Sequence, residues 1–589
     1  MDSKRRQLMG YAAAAFAPIG TSACAGLSDD SAADRGPFTI KVEKDVRVSL
    51  RDGSHVVADV FRPDSAGKFP VLMSMGPYPK DIPFKAWAPA DYERQELKGE
   101  FMHWESGLPE YWVPRGYVQI RCDQRGSGAS PGKLDIFGPQ VQRDFYDAIE
   151  WAGVQPWSNG NVGLLGDSYF AMVAWTVAQH NPPHLKAIMV AQGATDLYRD
   201  AIRHGGILSA RFLDGWYQFR VKNFQYGAPQ NKASPPLSAA ELAANEVLAK
   251  DFRLLIRDDA PATDPFFTER TPDISKIRAA VFAYANSGGL GLHLRGTIEG
   301  FSRATNAVHR QLYVGIGRDP DFMYRASDVE KQRRFFDRFL KNQVPAQAEP
   351  AVVVTVRKAG GTVQRTGATY PLAGTAPVRW HLDAASRSIS SSQAPTSSSL
   401  SYRSEYGANA AAVRFISAPL AADLELIGPL RLHLWVSASA GDADLFVAAR
   451  ELRPDDTEVT AQGAQDPALP VAMGWLRVSR RHADAARSTT YRTWHTYDRK
   501  EPLIPGRMTE VDVNLWPAAW IVAAGNRLCI EIGGGERSGM VTFAHPSAGP
   551  FMGGALPMPN GSPPAADVTL HTGPGTESFV VLPVHVHGA

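Results

Sequence analysis

Cysteine is scarce: three in 589 residues cannot build a disulfide framework. No CxxC pair and no HExxH occurs, so the spacings that would hold zinc are missing and no metal or other cofactor is expected. Neither sign of charge dominates. The 62 Lys and Arg against 60 Asp and Glu leave a net charge of +2, which gives no electrostatic footprint for nucleic acid. Beyond the first 26 residues no stretch is long and apolar enough to span a membrane, and no internal repeat is present, which excludes a solenoid. The glycine-rich "QRGSGASPG" lacks the Lys-Ser/Thr of a phosphate loop and reads as a tight turn after a strand.

What is present is an ordinary globular composition, 44% hydrophobic and 21% charged, in a chain too long for one core. Two or three domains are expected, and 52 Gly with 43 Pro point to many turns and a sizeable all-β part. "MDSKRRQLMGYAAAAFAPIGTSACAG" has a basic head, an Ala-rich apolar stretch and small residues near Cys24, the layout of an export signal; the alternative is a disordered tail. Arg5-Arg6 followed by Gln-Leu-Met resembles a twin-arginine signal, so a periplasmic or secreted protein is expected. A lipid anchor at Cys24 is the variant of that reading, with Thr21 a poor match for it. Cys122 and Cys529 sit in strand-like runs and read as buried thiols.

Residues 1–30 are thus leader. From 37 to 195 an opening hairpin ("TIKVEKDVRVSL", "HVVADVFRP") precedes continuous apolar runs ("FPVLMSM", "YVQIRCD", "NVGLLG", "LKAIMVAQG") that alternate with helical patterns. Runs apolar on both faces mean strands covered on both sides, hence a doubly wound α/β sheet. Residues 196–271 lose the strand rhythm and read as an all-helical cap, broken at "APQNKASPP". The sheet resumes over 272–343 ("AAVFAYAN", "RQLYVGIG"), each strand followed by a helix. From 344 to 589 short alternating strands between Gly, Pro and Ser suggest a β-sandwich, with the Ser-rich "SRSISSSQAPTSSSLSYRSE" as a loop inside it.

Within "NVGLLGDSYFAMVAWTVAQH" a strand, a turn and a helix place Ser168 at the turn. A nucleophile elbow wants small neighbours, as in G-x-S-x-G, because the turn is sharp. Gly166 satisfies the first position, but Phe170 stands at the second, and the first small residue after the serine is Ala171. A helix N-cap is the competing reading. The strand order before it, a β-rich start and then parallel strands, favours the elbow.

"GDSYFA", together with "YWVPRGYVQIRCDQRGSGASPG", "DFYDAIEWAGVQPWSNGNVGLLG", "LHLRGTIEGF", "FFDRFLKN", "EPLIPG" and "AGNRLCIEI", resembles the family of cocaine esterase, α-amino-acid ester hydrolases and X-prolyl dipeptidyl peptidases. That resemblance implies an α/β-hydrolase domain, a helical cap and a C-terminal jelly roll. It makes Ser168 the nucleophile, with the oxyanion held by the Tyr169 N–H and the hydroxyl of Tyr78 in "VLMSMGPYPK". Two such donors lower a barrier by roughly 3 kcal/mol each.

The same resemblance puts the triad acid at Gly289 and the triad histidine after "RQLYVGIG", where Gly315, Gly317, Arg318, Asp319 and Asp321 stand; both places are vacant. His293, four residues past Gly289, is one candidate for a relocated base, and His204 and His103 are others; His309 precedes its strand and belongs at the wrong end of the sheet. Asp196, after "AIMVAQG", is the candidate acid. Asp319 and Asp321 read as solvated loop carboxylates, with a cation site as the alternative. The expected activity is hydrolysis of a small ester or amide through an acyl-enzyme on Ser168. The alternative is a catalytically impaired relative that binds carbohydrate or peptide.

Overall fold

The computed structural model describes residues 37–209, 211–248, 250, 259–344, 347–405, 410–536, 545, 550–551, 556–557 and 565–586. The leader and Cys24 lie outside the described residues, as does 251–258 of the cap. Cys122 and Cys529 are buried free thiols.

The first domain is built on strands β1 (Ile40–Ser49), β2 (His55–Pro63), β3 (Phe69–Gly76), β4 (Val118–Asp123), β5 (Ser158–Asp167), β6 (Leu185–Ala191), β7 (Ala280–Asn286), β8 (Arg310–Gly315) and β9 (Val352–Lys358). The β1/β2 hairpin is antiparallel, and β2 joins the sheet antiparallel to β4. From β4 onward the order β4-β3-β5-β6-β7-β8-β9 is parallel throughout. β3 and β4 are buried along their whole length because both faces are covered, the polar Gln119, Arg121 and Asp123 of β4 included. Helices α1 (Pro139–Gly153), α2 (Tyr169–Ala178) and α3 (Leu294–Arg303) bury Phe145, Trp175 and Ile298 in the cluster on one face. Helix α4 (Ala326–Leu340) packs Phe335 and Phe336 against Leu72, Leu165 and Met189 on the other. Truncating Phe336, fully buried there, to alanine costs about 3–5 kcal/mol. The sheet runs beyond residue 344, since β9 pairs in parallel with β8.

The cap is not all helical. After a helical turn at Leu197–Ile202 the chain forms a two-stranded hairpin, Arg203–His204 against Ile207–Leu208. Gly205 and Gly206 turn it with φ of 58° and 88°, and a Cβ on Gly205 would overlap the Trp475 carbonyl, so the tip is pressed onto the C-terminal domain. Helical segments resume at Arg211–Trp216, Ala239–Asn245 and Pro265–Thr268.

The C-terminal domain is a sandwich. Its long strands Leu424–Ala438 and Thr509–Val522 pair antiparallel, and Asp444–Leu452 pairs with Arg527–Gly533 around Leu432, Leu434, Val513 and Ile530. The Ser-rich segment is more than a loop: Ser388–Ser390 and Ser398–Ser404 are strands. Alternation explains the difference, because Ile389 and Tyr402 point into the core while their serine neighbours face outward.

Candidate active site

β5 delivers Ser168 into a turn with φ 54° and ψ −116°, a strained conformation for a residue with a Cβ. The Ser168 N–H donates to Ala191 O at 3.0 Å, and its carbonyl accepts from Met172 at 2.9 Å, which ties the turn to β6 and α2. A Cβ on Gly166 would overlap Phe170, so glycine is required two residues before the serine. Phe170 itself is accommodated because β3 ends in glycine: a Cβ on Gly76 would lie 2.6 Å from its ring. Ala171 is matched by Gly193, where a Cβ would come within 2.9 Å of the Ala171 methyl. The departures from the small-residue pattern are thus absorbed by glycines on neighbouring strands. Ser168 stands at the N-cap position of α2, but its hydroxyl makes no capping bond.

That hydroxyl meets a histidine. His293 Nε2 lies 3.1 Å from Ser168 Oγ, and the imidazole is buried. His293 stands at the N-cap position of α3, held by a turn in which its N–H donates to Gly289 O at 3.2 Å. Its own carbonyl accepts from the Thr297 N–H at 3.1 Å and the Thr297 hydroxyl at 2.9 Å. Burial pushes the imidazole down to about 3, and no acidic side chain among the described residues offsets it. The other vacant place is filled by an aromatic: a Cβ on Gly315 would overlap the Tyr284 ring.

Tyr78 is buried between Trp87, Tyr169 and Phe170, with ring centroids 5.4, 6.0 and 5.6 Å away. Its oxygen accepts from Trp216 Nε1 at 2.9 Å, and burial raises its pKa well above the usual phenol range, so it keeps a proton to donate. The Tyr169 N–H opens α2 and is one of the donors a helix leaves free at its start. The Tyr169 hydroxyl is engaged elsewhere, donating to Gln124 Oε1 at 2.6 Å.

A cavity of about 540 Å³ opens onto Ser168, walled by Tyr78, Trp87, Trp104 and Trp216. Glu105 and Asp319 also line it. Asp319 is therefore no solvated loop residue: it is 7% exposed, with Oδ2 accepting from Gln465 Nε2 at 3.0 Å. Asp321 is ion-paired to Arg94 and Arg325. Asp167, next to the serine, accepts from Gln192 Nε2 at 3.1 and 3.0 Å. Burial first, then repulsion from neighbouring carboxylates, raises the pKa of Glu105, Asp167 and Asp319. Glu105 Oε2 and Asp319 Oδ1 are buried without a hydrogen-bond partner among the described residues.

The remaining candidates stand away from Ser168. Asp196 accepts from the Arg199 backbone at 3.0 Å and pairs with its guanidinium at 2.5 Å, so it orients an arginine and not an imidazole. His204 lies in the cap hairpin, its Nδ1 2.9 Å from His545 Nε2 and its Nε2 3.1 Å from Asp200 O. His103 places both ring nitrogens on carbonyls, of Pro79 and Trp104. His309 is at the start of β8, its ring on Phe339. Sequence reasoning missed Glu105, Trp216 and Gln465, which reach one cavity from three separate segments with no shared motif, and Gln192, which holds Asp167.

Comparison with known proteins follows the same division. Residues 52–318 match the X-Pro dipeptidyl-peptidase (S15 family) domain, and residues 342–581 match the X-Pro dipeptidyl-peptidase C-terminal non-catalytic domain. The cocaine esterase of Rhodococcus sp. (strain MB1 Bresler) is 35% identical over 178 residues, 30% of this chain and 28% of that enzyme. A Mycobacterium bovis protein designated a serine esterase is 24% identical over 602 residues, 83% of this chain and 90% of that one. The crystal structure of a CocE/NonD family hydrolase from Staphylococcus aureus superposes with a TM-score of 0.80 at 29% identity, covering 92% of this chain and 94% of that one.

Proposed function

The chain is a serine hydrolase of the family that joins X-Pro dipeptidyl peptidases and cocaine esterase, and we propose that it cleaves an ester or amide through an acyl-enzyme on Ser168 with His293 as the base. The observation that carries this is the 3.1 Å approach of His293 Nε2 to Ser168 Oγ. Ser168 Oγ attacks the substrate carbonyl carbon while Nε2 takes its proton. The carbonyl oxygen becomes an oxyanion, held by the Tyr169 N–H and the Tyr78 O–H. The imidazolium returns the proton to the leaving alcohol or amine, and a water activated by the same nitrogen then releases the acid. Among the described residues no carboxylate supports that imidazolium. In serine proteases, disabling the triad aspartate lowers turnover by about 10⁴, so turnover here is expected to be slow.

The cavity suggests the substrate class. Two buried carboxyls with a bare oxygen each, Glu105 and Asp319, favour a substrate bearing a protonated amine close to the scissile bond. Export is part of the same proposal, supported by the basic head and Ala-rich stretch of residues 1–26.

The test is a fluorophosphonate probe and a short-chain p-nitrophenyl ester applied to wild type, Ser168→Ala and His293→Ala. Labelling and turnover in wild type that vanish in Ser168→Ala support the reading. Equal inertness of wild type and Ser168→Ala on both reagents and on aminoacyl esters overturns it and favours the alternative, a binding protein with a relic hydrolase domain.

A further inference from the structure

A second cavity, of about 410 Å³, lies where α3 faces the sandwich, and it shares no lining residue with the cavity at Ser168. Its volume falls in the range of about 300–1,000 Å³ typical of small-molecule sites. Its walls are aromatic: Trp475, Trp494, Trp516 and Tyr497 are each at most 7% exposed, and Tyr370 joins them. Three of these residues bury a donor that finds no acceptor among the described residues, the Tyr370 hydroxyl and the indole N–H groups of Trp475 and Trp494. Each is a cost unless a ligand or water meets it.

The same cavity gathers arginines. Arg199 is answered by Asp196 at 2.5 Å, Arg295 by Asp200 at 2.7 Å, and Arg492 by Glu299. Arg303 and Arg487 have no carboxylate within ion-pair distance among the described residues. Arg487 lies over the Trp494 ring, 3.8 Å from its centroid, with Arg199 4.7 Å from the same ring. Partial burial and the neighbouring charges of Arg199 and Arg303 hold the Arg487 guanidinium below its ordinary pKa. Cations crowded around an aromatic-walled hollow are the complement of a flat apolar molecule with an anionic end.

We propose that this junction cavity is a second, non-catalytic binding site for a small aromatic carboxylate or a molecule of the same chemistry, its ring among Trp475, Trp494 and Trp516 and its anionic end toward Arg303 and Arg487. Bulk peptide or nucleic acid is not the occupant, because the hollow holds only about 410 Å³.

The experiment is isothermal titration of the purified protein with 2-naphthoate, and with neutral 2-naphthamide, before and after Ser168 is blocked by a fluorophosphonate. If Ser168 does not label, Ser168→Trp serves as the blocked form. One equivalent of 2-naphthoate is expected to bind in both states, with 2-naphthamide at least tenfold weaker. Arg303→Gln combined with Arg487→Gln should weaken 2-naphthoate at least tenfold. Ser302→Trp, at the exposed rim, should abolish binding, with circular dichroism confirming that each variant is folded. The proposal is overturned by no saturable binding, by equal affinity for the amide, by binding that survives both sets of substitutions, or by binding lost when Ser168 is blocked, which would place 2-naphthoate in the substrate cavity.

Discussion

Gly289 and His293 face each other across one turn, the His293 N–H donating to the Gly289 carbonyl at 3.2 Å. A Cβ at position 289 would lie 3.5 Å from the His293 Cβ and 3.2 Å from the Asn286 carbonyl, inside the turn through which the Gly289 carbonyl holds the His293 N–H. The missing acid and the relocated base therefore share one turn: a side chain at position 289 would start in contact with the His293 Cβ. Gly289→Asp is expected to push the ring away from Ser168 and lower kcat on a p-nitrophenyl ester by about 10²-fold, the cost of roughly 1 Å of misplacement. A rise in kcat would show that the new carboxylate supports the imidazolium without displacing it.

His293→Ala removes the only imidazole seen at Ser168 among the described residues. Turnover should fall by about 10³-fold or more, with fluorophosphonate labelling slowed in parallel, while His204→Gln and Asp196→Asn leave the labelling rate within a few-fold of wild type. Comparable losses in all three variants would mean that the base is not His293.

The pH dependence should be unusual. Burial holds His293 at about 3, so its base-competent neutral form persists as pH falls through 6.5. With an uncharged ester, kcat/KM is expected to show no acidic limb near 6.5. Stability carries the opposite signature. The unfolded histidine takes up a proton near 6.5 and the folded one near 3, so unfolding binds a proton in that window. His293's contribution is complete above about 6.5 and is lost as pH falls toward 3, at about 1.4 kcal/mol per pH unit. Denaturant titrations of wild type and His293→Gln at pH 7 and 5 check this: the gap between them should shrink at the lower pH.

Much of this was legible in the chain because it is written locally. The runs of β3 and β6 are mostly apolar, broken only by Ser74 and Lys186, and the turn at Ser168 follows from Gly166. The cap hairpin reads as helix in the sequence: the Gly205-Gly206 pair is a turn signal, but the helical pattern around it obscures that signal. The carboxyl cluster was not legible either. Asp167 reads as a strand end, Glu105 as loop and Asp319 as solvated, and only the packing of β5 against the loops after β8 and before β4 brings them together. The competence of His293 likewise depends on the fold, because its distance to Ser168 is set by the β7–α3 turn.

Tyr78→Phe separates the oxyanion role from packing. The ring and its neighbours remain, but the proton offered to the oxyanion is lost, so kcat should fall by about 10²–10³-fold with KM little changed. Trp216→Phe, which removes the N–H donated to Tyr78 and part of the ring stacked on Phe137 and Tyr169, should cost less than losing the hydroxyl itself. A KM effect without a kcat effect would place Tyr78 in ground-state binding.

Glu105 and Asp319 give the sharpest test of substrate class. Each lines the Ser168 cavity and carries a buried oxygen with no hydrogen-bond partner among the described residues, and burial first, then repulsion from neighbouring carboxylates, raises both pKa values. A substrate ammonium would offset that repulsion and hold the carboxyls ionised, whereas a neutral ester would not. Glu105→Gln and Asp319→Asn keep the shape and remove the charge. KM for an aminoacyl p-nitroanilide or ester should therefore rise by about tenfold or more, the scale of one charge-assisted bond, while kcat/KM for p-nitrophenyl butyrate stays within a few-fold. The discriminating quantity is the ratio between the two substrates. If both substitutions depress both substrates equally, the carboxyls hold the site together without reading the substrate, and an amine-bearing substrate is no longer favoured over a neutral one.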